Sequence, residues 1–203
     1  MTGPRVAVLD YGIGNLRSAQ KALEHVGADA RLTADPEEIR AAAGVVLPGV
    51  GAFGRCMDAL RETGLDEVAV EAARSGRPFF GICVGMQLLY EGSEEDPGVT
   101  GLGVLPGTVR RLPEGQKCPQ MQWNTLDVVG DPALFAGLER PLWVYFVHSY
   151  AAEAHDGVVA TCDYGGPVVA AVERDNLWAV QFHPEKSSTA GLAMLRNFVD
   201  SLE

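Results

Sequence analysis

Residues 78–92 read PFFGICVGMQLLYEG: an apolar run enters Cys83 between Gly81 and Gly85 and leaves it at helical spacing. PFFGIC has the composition of a buried strand, and VGMQLLYEG that of a helix. A strand that turns directly into a helix belongs to an alternating α/β arrangement, and the preceding sequence repeats the pattern. RVAVL (5–9) is a strand, followed by a Gly-rich turn and a helix opened by Asn15 or Ser18, with Leu16, Ala19, Leu23 and Val26 on one face. ARL (30–32) is a short strand, DPEEIRAAA (35–43) a short helix and GVVLPG (44–49) a third strand. Arg55 to Gly76 carries two helical segments broken near Thr63-Gly64. Strands and helices alternating at these lengths imply a mostly parallel central sheet with helices on both faces.

Beyond residue 100 the texture changes. GLGVLPGTVRRL, QMQWNTLDVV, LWVYFVHSYAAE, GVVATCDYG and PVVAAVERDNLWAVQFHPE are strand-like runs separated by Gly, Pro and Asp, which predicts an antiparallel excursion in the C-terminal half. A last helix in SSTAGLAMLRNFVDSLE puts Leu192, Leu195, Val199 and Leu202 on one face. The expectation is a single α/β domain over residues 1–203.

A hydrophobic fraction of 47% against 21% charged residues is globular, and a net charge of −11 argues against nucleic acid as a partner. No stretch is long and apolar enough for a membrane, and MTGPRVAVLDYG runs into a strand without a signal segment, so a cytoplasmic protein is expected. Cys56, Cys83, Cys118 and Cys162 form no CxxC pair, so no metal site is expected, and Cys56, Cys118 and Cys162 read as small buried hydrophobes. No cofactor is expected either. GIGN lacks the third glycine of a dinucleotide fingerprint, and LPGVGAFG lacks the Gly-Lys-Ser/Thr of a phosphate loop.

Gly81-Ile82-Cys83-Val84-Gly85 has the form of a nucleophile elbow with cysteine as the nucleophile. Cys83 then opens a helix, where free N–H groups favour a thiolate and the Val84 N–H faces any oxyanion formed beside the sulfur. A core cysteine at a tight strand–helix joint has the same form. AVQFHPEKS (179–187) supplies a base and its orienting carboxylate. His183 and Glu185, two apart in extended backbone, face the same side, and Pro184 stiffens the pair. A surface turn with solvated His and Glu is the other reading of that pair. In LPGVGAFG (47–54), Gly49, Val50 and Gly51 offer backbone N–H groups to a developing negative charge. Together these pieces make a Cys-His-Glu hydrolase acting on an acyl group, and spacing does not say which.

The same motifs resemble the class I glutamine amidotransferases, whose glutaminase domain pairs a G-x-C-x-G-x-Q elbow with a His-Pro-Glu triplet, and the resemblance covers essentially the whole chain. It implies that Cys83 attacks the carboxamide of L-glutamine, that Gly49, Val50, Gly51 and Val84 hold the oxyanion, and that Glu185 orients His183. It further implies a glutamine pocket at Gln87, Glu95, Ser149 and Tyr150, with Glu95 meeting the α-ammonium. DYGIGN, GMQ, QMQWN, FVHSY and HPEKSS narrow the match to the branch in which a free-standing glutaminase subunit passes ammonia to a (β/α)8-barrel cyclase subunit. Positions matching that branch's subunit interface are Met121, Trp123, Asn124, Tyr145 and Lys186; strand packing alone would also account for Met121 and Trp123. The branch usually reads Pro-His-Met-Gly-Trp-Asn where this chain has Pro119-Gln120-Met121-Gln122-Trp123-Asn124. Gln120 cannot titrate as a histidine would, which bears on how the interface couples to the site. The latency of the branch also implies that the oxyanion turn moves at Val50 when the partner binds ligand. Other glutaminase subunits, a non-catalytic binding subunit and a thiol peptidase are the alternatives.

Overall fold

β1 (Arg5–Leu9), α1 (Leu16–His25), β2 (Asp29–Thr33), α2 (Pro36–Ala41), β3 (Gly44–Gly49), α3 (Phe53–Glu62), α4 (Leu65–Arg74), β4 (Phe79–Cys83) and α5 (Val84–Leu88) follow one another in the computed structural model. The structure describes residues 3–202; Met1, Thr2 and Glu203, the ends of the expected domain and of its first and last segments, lie outside the described residues. The second half adds β5 (Gly92–Ser93), β6 (Thr108–Arg111), β7 (Gln120–Thr125), β8 (Asp127–Val128), β9 (Trp143–His148), β10 (Tyr150–Ala152), β11 (Val158–Asp163), β12 (Pro167–Arg174), β13 (Leu177–Val180) and α6 (Ser188–Asp200).

The central sheet has the order β2-β1-β3-β4-β13-β12-β11-β8. β2, β1, β3, β4 and β13 are mutually parallel, and β12, β11 and β8 extend the same sheet antiparallel. The antiparallel excursion is thus partly one edge of the main sheet, with β10-β6-β5 and β7-β9 as two small accessory sheets. β3, β4 and β13 are buried along their whole length, as strands covered on both faces must be. α1 packs with α6, whereas α2, α3, α4 and α5 pack among themselves. Two such groups follow from right-handed crossovers that step one way from β1 to β2 and the other way from β2 to β3.

Two helices differ from their sequence patterns. α5 stops at Leu88 because the N–H groups of Leu102 and Val104 take the carbonyls of Leu88 and Leu89, both at 2.8 Å. The strand-like GLGVLPG run is therefore an irregular segment that terminates α5. In α6 the buried face centres on Met194, Leu195, Phe198 and Val199, with Leu192 at its flank. Phe198 packs tilted against Phe80 of β4 and edge to face with Trp178 of β13, tying α6 to the strands that end at the site. Cys56 and Cys162 are buried as expected, but Cys118 is exposed, because it sits in the loop that leads into β7.

Candidate active site

The sheet order assembles the site. β4 lies between β3 and β13, with Gly49 opposite Cys83 and Ile82 opposite Val180, so three parallel strands end side by side. In open α/β sheets that carboxyl edge is where ligands bind. The turn after β3, the cysteine ending β4 and the histidine after β13 meet around a cavity of about 180 Å³.

Cys83 occupies the N-cap of α5 at φ 55° and ψ −115°, a positive φ that a non-glycine residue holds only when its surroundings force it. Here the force is the close approach of β3 and α5. A Cβ on Gly85 would lie inside the carbonyl of Leu47, and one on Gly49 would come within 2.7 Å of the Gly85 nitrogen. Gly49 thus serves the joint; Val50, Gly51 and Val84 line the cavity. The Val84 N–H, first in its helix, has no intrahelical acceptor.

Nδ1 of His183 donates to Glu185 Oε1 at 2.8 Å, and both side chains are only 3% exposed. The extended pairing expected from sequence is replaced by a 3-10 turn, Pro184–Lys186, that curls Glu185 back under the ring. Since the carboxylate can only accept, Nδ1 carries one proton, and Nε2 is the nitrogen that takes up and gives back the second. Nε2 is buried and has no aligned hydrogen-bond partner, and Glu185 Oε2 is likewise unpartnered. Burial works against the imidazolium, but the interactions with Cys83 and Glu185 outweigh it and raise His183 to about 10. The Cys83 sulfur lies 4.0 Å from the carbonyl of Val147, its acceptor in the thiol form.

Of the expected glutamine-pocket residues, Gln87, Glu95, Ser149 and Tyr150 all line this cavity. Glu95 accepts the Phe53 N–H at 2.8 Å through Oε2, capping α3, which leaves Oε1 for a cationic group. Tyr150 contributes its main-chain carbonyl, which takes Gln87 Nε2 at 2.9 Å.

Three further residues were not legible as site residues. Val147 and His148 line the cavity, and Gln181, fully buried, sits against the Cys83 sulfur. A lone polar residue inside an apolar run reads as core, and only the position of Gln181 two residues before His183 hinted otherwise. His148 bridges the Tyr150 carbonyl and the Gln120 carboxamide, each at 2.8 Å. Burial, partly offset by the bond to Tyr150 and reinforced by the charge of His183, pushes His148 down to about 4. A neutral ring that donates to Tyr150 through Nδ1 needs a donor at Nε2, so the Gln120 amide presents its NH2 there, and its oxygen faces the Cys162 thiol. Gln120 therefore supports the site from behind.

This burial makes a pH prediction. His148 is depressed, so its contribution to stability is complete above about 6.5 and is lost as pH falls toward about 4. The loss reaches roughly 3 kcal/mol, at about 1.4 kcal/mol per pH unit. Urea unfolding at stepped pH is expected to show this acid slope in the wild type and a shallower one in His148→Gln.

The positions expected at a partner interface divide by strand register. Trp123 pairs with Tyr145 and Met121 with Val147 across β7 and β9, so these four share a face of the ribbon with Trp143. Trp123 and Tyr145 meet edge to face, with centroids 6.0 Å apart. Asn124 points the other way and donates to the Asp163 carbonyl at 2.9 Å. Lys186 is exposed on the turn after His183.

The profile of the class I glutamine amidotransferase family matches residues 7–202. The chain is 52% identical to the imidazole glycerol phosphate synthase subunit HisH of Methanothermobacter thermautotrophicus, across 96% of this chain and 98% of that one. It is 48% identical to the HisH subunit of Mycolicibacterium paratuberculosis, across the full length of both. Among solved structures, PurLQS from Thermotoga maritima superposes with a TM-score of 0.79 at 22% identity, covering 99% of this chain and 100% of that one. A crystal structure of a glutamine amidotransferase does so with a TM-score of 0.76 at 23% identity, covering 97% and 98%. At that identity these two speak to the fold alone, whereas the family profile and the relatives near half identity span almost every residue described above. A cysteine at a strained strand–helix joint, facing a histidine held by a carboxylate, is thus met in a chain that belongs to the class I glutamine amidotransferases.

Proposed function

We propose that this chain is the glutaminase subunit of imidazole glycerol phosphate synthase, folded as one domain over residues 1–203. In this reading it hydrolyses L-glutamine to glutamate and ammonia and passes the ammonia to a cyclase subunit. The cyclase then joins the ammonia to a ribulosyl-formimino aminoimidazole carboxamide ribonucleotide, making imidazole glycerol phosphate and aminoimidazole carboxamide ribotide in histidine biosynthesis. The observation that carries the reading is near-full-length identity of 52% to a relative of that name.

The chemistry uses groups of this chain throughout. The Cys83 sulfur attacks the glutamine carboxamide carbon as a thiolate, its proton held on Nε2 of His183. The carbonyl pair moves onto oxygen, where the N–H of Val84 and of the Gly49–Gly51 turn receive it. His183 returns the proton to the departing nitrogen, the C–N bond breaks, and ammonia leaves a γ-glutamyl thioester. Water then attacks the thioester, gives its proton to His183 and expels the sulfur as glutamate forms. Glu185 keeps the ring in one tautomer throughout. Glu95 Oε1 and Gln87 Oε1 are the acceptors for the substrate's α-ammonium, since both N–H groups of Gln87 are committed within the protein.

Ammonia released into water near neutral pH becomes ammonium and loses its nucleophilicity, so a partner must cover the exit. The exposed large apolar side chains among the described residues are Met121, Trp123, Val129 and Trp143, and three of the four lie on the outer face of β7 and β9. Such a patch on an otherwise acidic surface marks a protein interface. Val147 of the same ribbon lines the cavity. The test is nitrogen-source dependence. Cyclase given ammonium salts at alkaline pH forms product without this chain, and the chain makes glutamine an equivalent source at neutral pH. Trp123→Arg is expected to cut glutamine-driven synthesis at least about tenfold, as loss of a buried aromatic anchor does, and to leave ammonium-driven synthesis unchanged. Glutamine-driven synthesis that survives a charged residue there would remove the ribbon from the interface.

A further inference from the structure

The carboxamides of Gln87 and Gln181 form a chain that ends on the nucleophile. Gln87 Nε2 donates to the Tyr150 carbonyl and to Gln181 Oε1, both at 2.9 Å, and Gln181 Nε2 donates to Cys83 Sγ at 3.8 Å. Gln87 is 3% exposed, Gln181 0% and Cys83 3%, so these bonds are shielded from bulk water. Amide oxygen and nitrogen are distinguished by what they face, and here a main-chain carbonyl fixes one end. The Tyr150 main-chain carbonyl can only accept, so the Gln87 group beside it is NH2. The same nitrogen faces Gln181, whose adjoining atom is then the oxygen. The atom of Gln181 that reaches the sulfur is therefore the NH2. A main-chain carbonyl of β10 thus sets, through two side chains, the sign of the dipole at the reacting atom.

Resting on the glutaminase reading, we propose that Gln181 is a further catalytic residue: its carboxamide N–H donates to the Cys83 sulfur and stabilises negative charge there. An N–H aimed at sulfur is worth more to a thiolate than to a thiol, because hydrogen bonds with one charged partner are about twice as strong. The donor matters at two moments. It helps release the thiol proton to His183 before attack, and it steadies the sulfur again when the thioester collapses to glutamate. It also occupies a lone pair, so the sulfur's remaining approach is toward the cavity.

The test uses Gln181→Met, which keeps bulk and removes the donor, and Gln181→Glu, which keeps shape and puts a carboxylate oxygen against the sulfur. Glutaminase turnover is measured in the complex with the cyclase and its ribonucleotide ligand. Alkylation of Cys83 by iodoacetamide is followed across pH on the Cys83 peptide by mass spectrometry, because the exposed Cys118 also reacts. The expected result for Gln181→Met is a fall in kcat of about tenfold, the size of one hydrogen bond to a charged group. Its alkylation profile moves to higher pH, and that of Gln181→Glu moves further. Alkylation profiles that superpose on the wild type would overturn the proposal whatever happens to kcat, because packing damage lowers turnover without shifting that profile. Should the wild-type complex release no glutamate, the glutaminase reading fails, while the profiles still report separately on the contact between Gln181 and Cys83.

Discussion

Cys83→Ala is expected to abolish glutamate release, by a factor of at least ~10⁴ in kcat, with the fold and cyclase binding intact. The size follows from covalent catalysis acting as a unit: once the nucleophile is gone, oxyanion donors and base have no adduct to stabilise. The side chain is 3% exposed, and its loss removes one sulfur from the cavity wall without touching Gly81 or Gly85. Glu185→Gln is the companion experiment. It leaves the 3-10 turn in place but offers an NH2 or a weaker acceptor to Nδ1, so the tautomer that frees Nε2 is no longer enforced. A loss of about 10²–10⁴ in kcat is expected, in line with tautomer loss in an acyl-transfer triad. Steady-state glutamate release, with glutamine binding to each variant measured by calorimetry, separates lost chemistry from lost binding. Full turnover in Cys83→Ala would return the chain to the non-catalytic alternatives.

Gly85→Ala carries the second large effect, and it falls on stability. The added methyl would enter the carbonyl of Leu47, which belongs to the buried strand β3 and cannot retreat without displacing the Gly49–Gly51 turn. Overpacking of this kind costs about 3 kcal/mol or more, against a total of roughly 5–15 kcal/mol for a domain. Thermal unfolding of Gly85→Ala is expected roughly 10 °C below the wild type, with activity falling out of proportion because the elbow itself shifts. Gly98→Ala is the control: no atom lies within 4 Å of a Cβ built there. Equal melting of both variants would show that β3 and α5 are not held as tightly as their packing indicates.

The strained strand–helix joint was legible because it requires glycines on either side of the residue at its tip, and Gly85 meets that requirement in the structure. The parallel half of the sheet was legible from buried strands alternating with amphipathic helices; β1, β3 and β4 begin and end near where their apolar runs do. That β13 lies beside β4 was not, since strand order depends on contacts between residues about a hundred apart. The proximity of His183 to Cys83 follows from that order and from no local pattern. The curl of Pro184–Lys186 escaped an extended reading because the pull of a buried His–Glu bond is tertiary. α5 ends early for a similar reason, its last carbonyls being taken by residues 102–104. Gln120 could be seen to depart from its branch, but that it faces inward onto His148 depends on the register of β7 with β9.

A partner-gated glutaminase is tested by glutamate release from glutamine by the purified chain. The chain is assayed alone, with the cyclase subunit, and with the cyclase plus its ribonucleotide ligand, with Cys83→Ala alongside each. Little glutamate is expected from the chain alone, strong release in the complete mixture, and none from the variant under any condition. No glutamate from the wild-type chain in the complete mixture would contradict the glutaminase reading.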